Sequence, residues 1–182
     1  RLDISPLCFR AVNHALRLRS MGPEPRAYLS IIETKGKRVT IKGKPLVELS
    51  LKLRNLGQSP ARHGKVTIAR FAMTLLEKKL PPNELKEVWR KNKDSYAQFF
   101  QIAASQETSV PVTVKNNLAV TARRECDETG IHAYYAIIEW YDIFGDRNSE
   151  VFTLFSEGNY AEDEVFDLSH QIFFGVTKGA AY

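Results

Sequence analysis

Four histidines, two cysteines and a set of late carboxylates are the residues of this chain whose types suit catalysis or metal binding. His14, His63, His132 and His170 show neither H-x-x-x-H nor H-x-H spacing, so a zinc or iron site would need wholly distant ligands. Cys8 and Cys126 form no C-x-x-C pair and read as two buried or idle thiols, which leaves the redox compartment open. Asp142 and Asp146 flank a predicted hairpin and, with Glu150, offer oxygens to a calcium ion. The D-x-D-x-D-G pattern is missing, and ordinary turn capping is the simpler expectation. There is no G-x-S-x-G elbow, no glycine-rich phosphate loop and no G-x-G-x-x-G. The expectation is therefore a chain with no enzyme activity, no cofactor, no metal and no catalytic residue to single out. A hydrolase with a distributed site is the alternative that sequence spacing does not address.

Aromatic residues raise a second chemistry. Tyr134, Tyr135, Trp140 and Tyr141 lie on one predicted strand, as base-stacking residues do. That strand carries Glu139 and Asp142 and no Lys or Arg, so core packing explains the rings more simply. Charge is uneven, with 21 Lys+Arg and 7 Asp+Glu in residues 1–93 against 5 and 14 in residues 94–182. Interleaving of strands from both halves would bring the two signs together. The competing reading is an electrostatic binder of nucleic acid or anionic lipid that uses the basic N-terminal half. Its cations are scattered, as in Lys35, Lys37, Arg38, Lys42 and Lys44.

These residues have to be held by a scaffold. The 182 residues carry 26 Lys+Arg and 21 Asp+Glu, with 43 % hydrophobic and 26 % charged residues, the balance of a soluble globular protein. No run of 18 apolar residues and no secretory signal occurs, and the chain opens at Arg1, which reads as a processed or excised start. A helix is expected over 1–22, capped by Ser5 and Pro6 and stopped at Gly22. Residues 27–33 read as a strand, Lys35-Gly36-Lys37 as a turn, and Val39 and Ile41 as a short second strand. Val47, Leu49, Leu51 and Leu53 alternate with polar residues, the clearest strand signal in the chain. A loop over 55–62 leads to a strand from Lys65, with Val66 and Ile68 on one face.

Further on, Leu85, Val88, Trp89, Tyr96, Phe99 and Phe100 recur at three and four, which predicts one or two helices within 83–104. The stripe has to cover a sheet face, an open edge or a second copy, with Trp89, Phe99 and Phe100 as its self-association candidates. Val110, Val112 and Val114 predict a strand, with Pro111 outward on an edge. Residues 118–128 suit a short helix. His132 to Phe144, the Gly145–Asn148 turn and Glu150 to Phe155 form a hairpin. Residues 159–182 are either a docked final element or a disordered end.

Two segments together resemble a known set. Asn55, Gly57, Ser59, Pro60 and Ala61 close one strand, and Tyr141, Asp142, Phe144 and Gly145 form the later hairpin. The pair resembles uncharacterised bacterial proteins that join N-terminal membrane helices to a soluble immunoglobulin-like β-sandwich. The match spans about a quarter of the chain. Asn148 stands near the place where those proteins often carry a His, and the 83–104 insertion is longer than theirs. The resemblance implies the soluble portion of a membrane-anchored protein, membrane-associated through a segment upstream of Arg1, with no known activity and a protein partner of unknown identity.

The expected fold is mainly β, an antiparallel immunoglobulin-like β-sandwich with one to three peripheral helices. Residues 1–25 are the N-terminal or juxtamembrane helix, 26–158 the sandwich and 159–182 the tail. An α+β domain with the 83–104 helix across one sheet face is the second choice. The expected function is a non-enzymatic interaction or sensory module. Its candidate binding residues are Asn55, Gly57, Ser59, Pro60, Arg62, Tyr141, Asp142, Phe144 and Gly145, on loops at strand ends. Each has a purely structural reading as well. Asn55 and Gly57 permit left-handed backbone, Pro60 stiffens a corner, Asp142 caps the hairpin, and Gly145 permits its turn.

Overall fold

Alternation along Val47, Leu49, Leu51 and Leu53 puts four apolar side chains on one face of a strand, and all four are buried. The computed structural model describes residues 26–70, 90, 95–115 and 130–178. Within them lie nine strands: β1 (Leu29–Ile41), β2 (Lys44–Asn55), β3 (Ala61–Arg70), β4 (Tyr96–Ile102), β5 (Glu107–Val114), β6 (Ile131–Tyr141), β7 (Arg147–Glu157), β8 (Val165–Asp167) and β9 (Ser169–Lys178). They form two antiparallel sheets, ordered β5-β2-β1-β8 and β4-β3-β6-β7-β9. The fold is mainly β, in two sheets joined by one core. Leu49, Leu51, Leu53, Val112 and Val114 from the first sheet meet Val66, Ile68, Ile138 and Trp140 from the second in one apolar cluster.

Both halves of the sequence contribute to both sheets, so the charge asymmetry is dispersed. Lys37 pairs with Asp163 at 2.9 Å, and Lys52 with Glu107 at 3.0 Å. Pro111 sits exposed on β5, an edge strand, where its missing N–H costs no ladder bond.

Several expectations are corrected. Lys35-Gly36-Lys37 is no turn but the middle of β1. Gly36 is there because the Phe166 ring lies against its backbone, where a Cβ would collide. The chain reverses instead at Lys42 and Gly43, both at positive φ (51° and 73°). Residues 96–102 of the expected 83–104 helix are strand β4. There Tyr96, Gln98 and Phe100 are exposed while Ala97 and Phe99 are half-buried, so a period of two holds where three and four was read. Phe99 and Phe100 thus share no stripe: Phe99 packs over Gly64, and Phe100 points to solvent beside His63. Trp89 and the expected helices at 1–22 and 118–128 lie outside the described residues. Of residues 83–94 only Arg90 is described, in helical conformation. Past the expected boundary at 158, residues 165–178 supply β8 to one sheet and β9 to the other.

The two sheets differ in their outer faces. The four-stranded sheet turns Lys35, Glu48, Lys52 and Arg54 to solvent. On the five-stranded sheet, Ala69, Tyr135, Ile137 and Val151 face away from the inner cluster and are nevertheless fully buried. Burial pushes the Tyr135 phenol above its ordinary range. The middle of this sheet around β6 is covered on both sides, while β4 leaves Tyr96 and Phe100 exposed, and this explains why β6 reads as a near-continuous apolar run. Truncating the outward Ile137 to Ala is therefore expected to cost about 2–5 kcal/mol in urea unfolding, as much as Ile138→Ala on the inner face. A near-neutral Ile137→Ala would contradict a two-sided core. Tyr135 favours its neutral form when folded, so stability should fall once pH rises through and beyond the ordinary tyrosine range near 10.

Candidate functional site

Asn55 ends β2 with its side chain fully buried, so each polar atom of its amide needs a partner. All are found. Oδ1 accepts the Tyr28 N–H at 3.1 Å and the Gly57 N–H at 3.0 Å. Nδ2 donates to the Ser59 carbonyl at 2.7 Å and to the Ile102 carbonyl at 3.0 Å. The Asn55 backbone donates to Gln106 O and accepts from Ser105 N. One residue thereby ties the chain entering β1 to two of the crossovers between sheets, 56–60 and 103–106.

Asp142 plays the matching part in the β6–β7 turn. Its Oδ1 accepts the Phe144 N–H at 2.9 Å and the Asp146 N–H at 3.0 Å, an Asx arrangement that fixes the reversal. Gly145 completes it at φ 81°, a region where a side chain strains. Asp142 Oδ2 receives Arg26 Nη1 at 3.3 Å, and Arg26 also lies 3.5 Å from Asp146 Oδ2. The Arg26 guanidinium stands 5.9 Å over the Phe144 ring.

Arg26, Ala27 and Tyr28 join these two centres. Arg26 O and Tyr28 O accept the N–H groups of Gln58 and Leu56, and Ala27 O accepts the Trp140 indole at 3.3 Å. The Asn55–Arg62 loop and the Asp142 turn therefore lie at one end of the sandwich, on either side of this strap. Arg62 and Tyr141 are cross-strand partners on β3 and β6 at the same end.

The predicted residues divide by exposure. Asn55, Ser59 and Asp142 are buried and structural, Gly57 and Pro60 are half-buried, and Arg62, Tyr141, Phe144 and Gly145 are exposed. Gly57 is not left-handed as expected. It is required because a Cβ there would strike Arg26 O, Tyr28 N and Ala27 Cα. Asp142 caps through backbone amides, while Asn148 donates separately to Asp146 O at 3.0 Å. Tyr134 and Trp140 point into the core and Tyr135 is buried, so only Tyr141 of the four aromatic residues is open to stacking. Arg26 and Ile143 escape sequence reading, because a lone Arg after Pro25 carries no signal of a partner 116 positions away. Among the described residues, no group of three or more His, Cys, Asp or Glu is placed to hold a metal ion.

No protein-family model matches the chain, nor does any curated protein or solved structure.

Replacing Asn55 by Ala strands two N–H and two C=O groups at about 1–3 kcal/mol each, so a loss above about 4 kcal/mol or failure to fold is expected. Asn55→Asp should be comparably harmful, since it turns a donor into an anion facing two carbonyls. Ser59 offers the contrast, because its buried hydroxyl has no hydrogen-bond partner among the described residues. Ser59→Ala should be neutral or raise the melting temperature, and a large loss there would contradict these assignments.

Proposed function

We propose that the chain is a non-enzymatic interaction module that grips a protein partner through the 141–144 tip at the strap end. The observation that carries it is the exposure of Tyr141 (40 %), Ile143 (40 %) and Phe144 (57 %) on a turn whose backbone is held by Asp142. Large apolar side chains grouped in solvent mark contact surfaces. A turn already locked by hydrogen bonds loses little conformational freedom on binding, which favours affinity. Arg62 beside Tyr141 adds a cation and a donor at the rim.

The immunoglobulin-like assignment and the attachment to a membrane on the N-terminal side belong to the same proposal. Both rest on the resemblance carried by Asn55–Ala61 and Tyr141–Gly145.

A photo-crosslinking residue at position 144, with one at Thr113 on the edge strand of the other sheet as control, tests the reading in cells. The expected result is one reproducible protein adduct from position 144, absent at 113. The double variant Ile143→Ser/Phe144→Ser should abolish partner retention and leave unfolding stability within about 0.5 kcal/mol of wild type. Equal adducts from both positions, or retention that survives the double variant, would refute the tip as the contact.

A further inference from the structure

The β1–β2 hairpin extends past the rest of its sheet. Pairing of β1 with β8 covers only Lys35–Lys37, and the register of β2 with β5 starts at Val47. Beyond those points Val39, Thr40 and Ile41 pair with Leu46, Pro45 and Lys44, closed by the Lys42-Gly43 turn. Residues 40–45 are all exposed. Between Thr34 and Val47 the chain holds Lys35, Lys37, Arg38, Lys42 and Lys44 and no carboxylate. Lys35 is matched by Glu33 and Lys37 by Asp163, each at 2.9 Å, and Arg38 donates to Tyr160 O at 3.2 Å. Lys42 and Lys44 make no ion pair among the described residues.

Register adds an apolar component. Val39 opposes Leu46 and Ile41 opposes Lys44, on the face of the ribbon that continues the outer face of the sheet. Ile41 is 43 % exposed at the very tip. From this combination we infer that the ribbon tip docks on anionic lipid headgroups. Lys42 and Lys44 meet the phosphates, Arg38 lies behind them, and Ile41 enters the headgroup boundary. An apolar tip with flanking lysines matches a bilayer interface, where stems bury and ammonium groups stay wet. It matches a nucleic-acid groove poorly. Residues 39–46 include two lysines that could reach base edges but no Asn or Gln to read adenine, and Ile41 would face phosphates without gain.

β1 alone puts the tip about 40 Å from Leu29, three residues past Arg26, so this surface is separate from the 141–144 contact. It stands without an upstream anchor. Where both hold, contacts at opposite ends lay the sandwich along the membrane plane.

Co-sedimentation of the full chain with phosphatidylcholine vesicles, with and without phosphatidylglycerol, tests the inference. Binding is expected only with phosphatidylglycerol. Lys42→Gln/Lys44→Gln should weaken it about 25-fold, from about fivefold per cation at an anionic surface. Lys44→Gln alone should weaken it about fivefold. Ile41→Ser should weaken it severalfold without changing the charge. Each variant should melt with wild type, since every altered residue is exposed. No sedimentation, equal binding to both vesicles, or unchanged binding by the double variant would overturn the inference. So would duplex DNA displacing the chain from vesicles with Ile41→Ser indifferent, which would assign the ribbon to nucleic acid.

Discussion

A buried carboxamide that must satisfy four backbone groups of other residues is the constraint on which the strap end of this protein depends. Asn55 reaches Tyr28, Gly57, Ser59 and Ile102 with one acceptor oxygen and one donor nitrogen, each used twice. No other side chain supplies two acceptor and two donor directions at that reach. Aspartate lacks the donors, and glutamine places the amide one carbon too far. The irregular segments at a sandwich end have no ladder to consume their polar groups, so a side chain has to take them. Once Asn55 holds the strap, Gly57 can approach its backbone closely. Ala27 O is then in place for Trp140, and Arg26 can reach Asp142 and Asp146. The aromatic tip is thus positioned by a chain of contacts that begins at the end of β2 and runs through the strap.

Opposite ends of the molecule are built on different physics. At the strap end, the amide of Asn55 and the carboxylate of Asp142 are buried and paired, and a few apolar side chains are pushed out on a rigid turn. The far end of β1 and β2 is an open ribbon, with exposed cations and Ile41 at its tip. Between them the sheets also differ, one wet outside and the other covered on both faces around β6. A chain with cations concentrated in its first half gains from this arrangement. Lys52 and Arg54 meet Glu107 and Lys37 meets Asp163, while Lys42 and Lys44 at the ribbon tip have no ion pair among the described residues.

Much of the β architecture was legible, because it rests on local alternation that a single strand displays. Leu49 to Leu53, Val112 to Val114, and Ile138 with Trp140 gave the two inner faces directly. Alternation failed where aromatics were dense. Tyr96, Phe99 and Phe100 fit a helical spacing as readily as a strand with one irregular step, and only pairing with β3 decides between them. Glycine misled twice for one reason. Gly36 and Gly57 serve close approach of a ring or a backbone rather than a turn, and the partners, Phe166 and Arg26, are distant in sequence. The candidate residues were legible as types but not as roles. Asn55 and Asp142 proved to be the framework, while the exposed neighbours Tyr141, Ile143 and Phe144 form the surface. Arg26, which links them, was invisible because its carboxylate partners lie 116 and 120 positions away.

Native-state hydrogen exchange on the wild-type chain and on Asn55→Ala, which removes the acceptor of the Tyr28 and Gly57 amides, tests the Asn55 framework most directly, with a stabilising osmolyte present to keep the variant folded. The Tyr28 and Gly57 amides should be as protected in the wild type as the core amide of Ile138, opening only with global unfolding. In the variant they should exchange fast, and the Phe144 and Asp146 amides should lose protection with them. Rapid exchange of Tyr28 and Gly57 in the wild type, or full protection of the Asp142 turn in the variant, would contradict the dependence of the tip on Asn55.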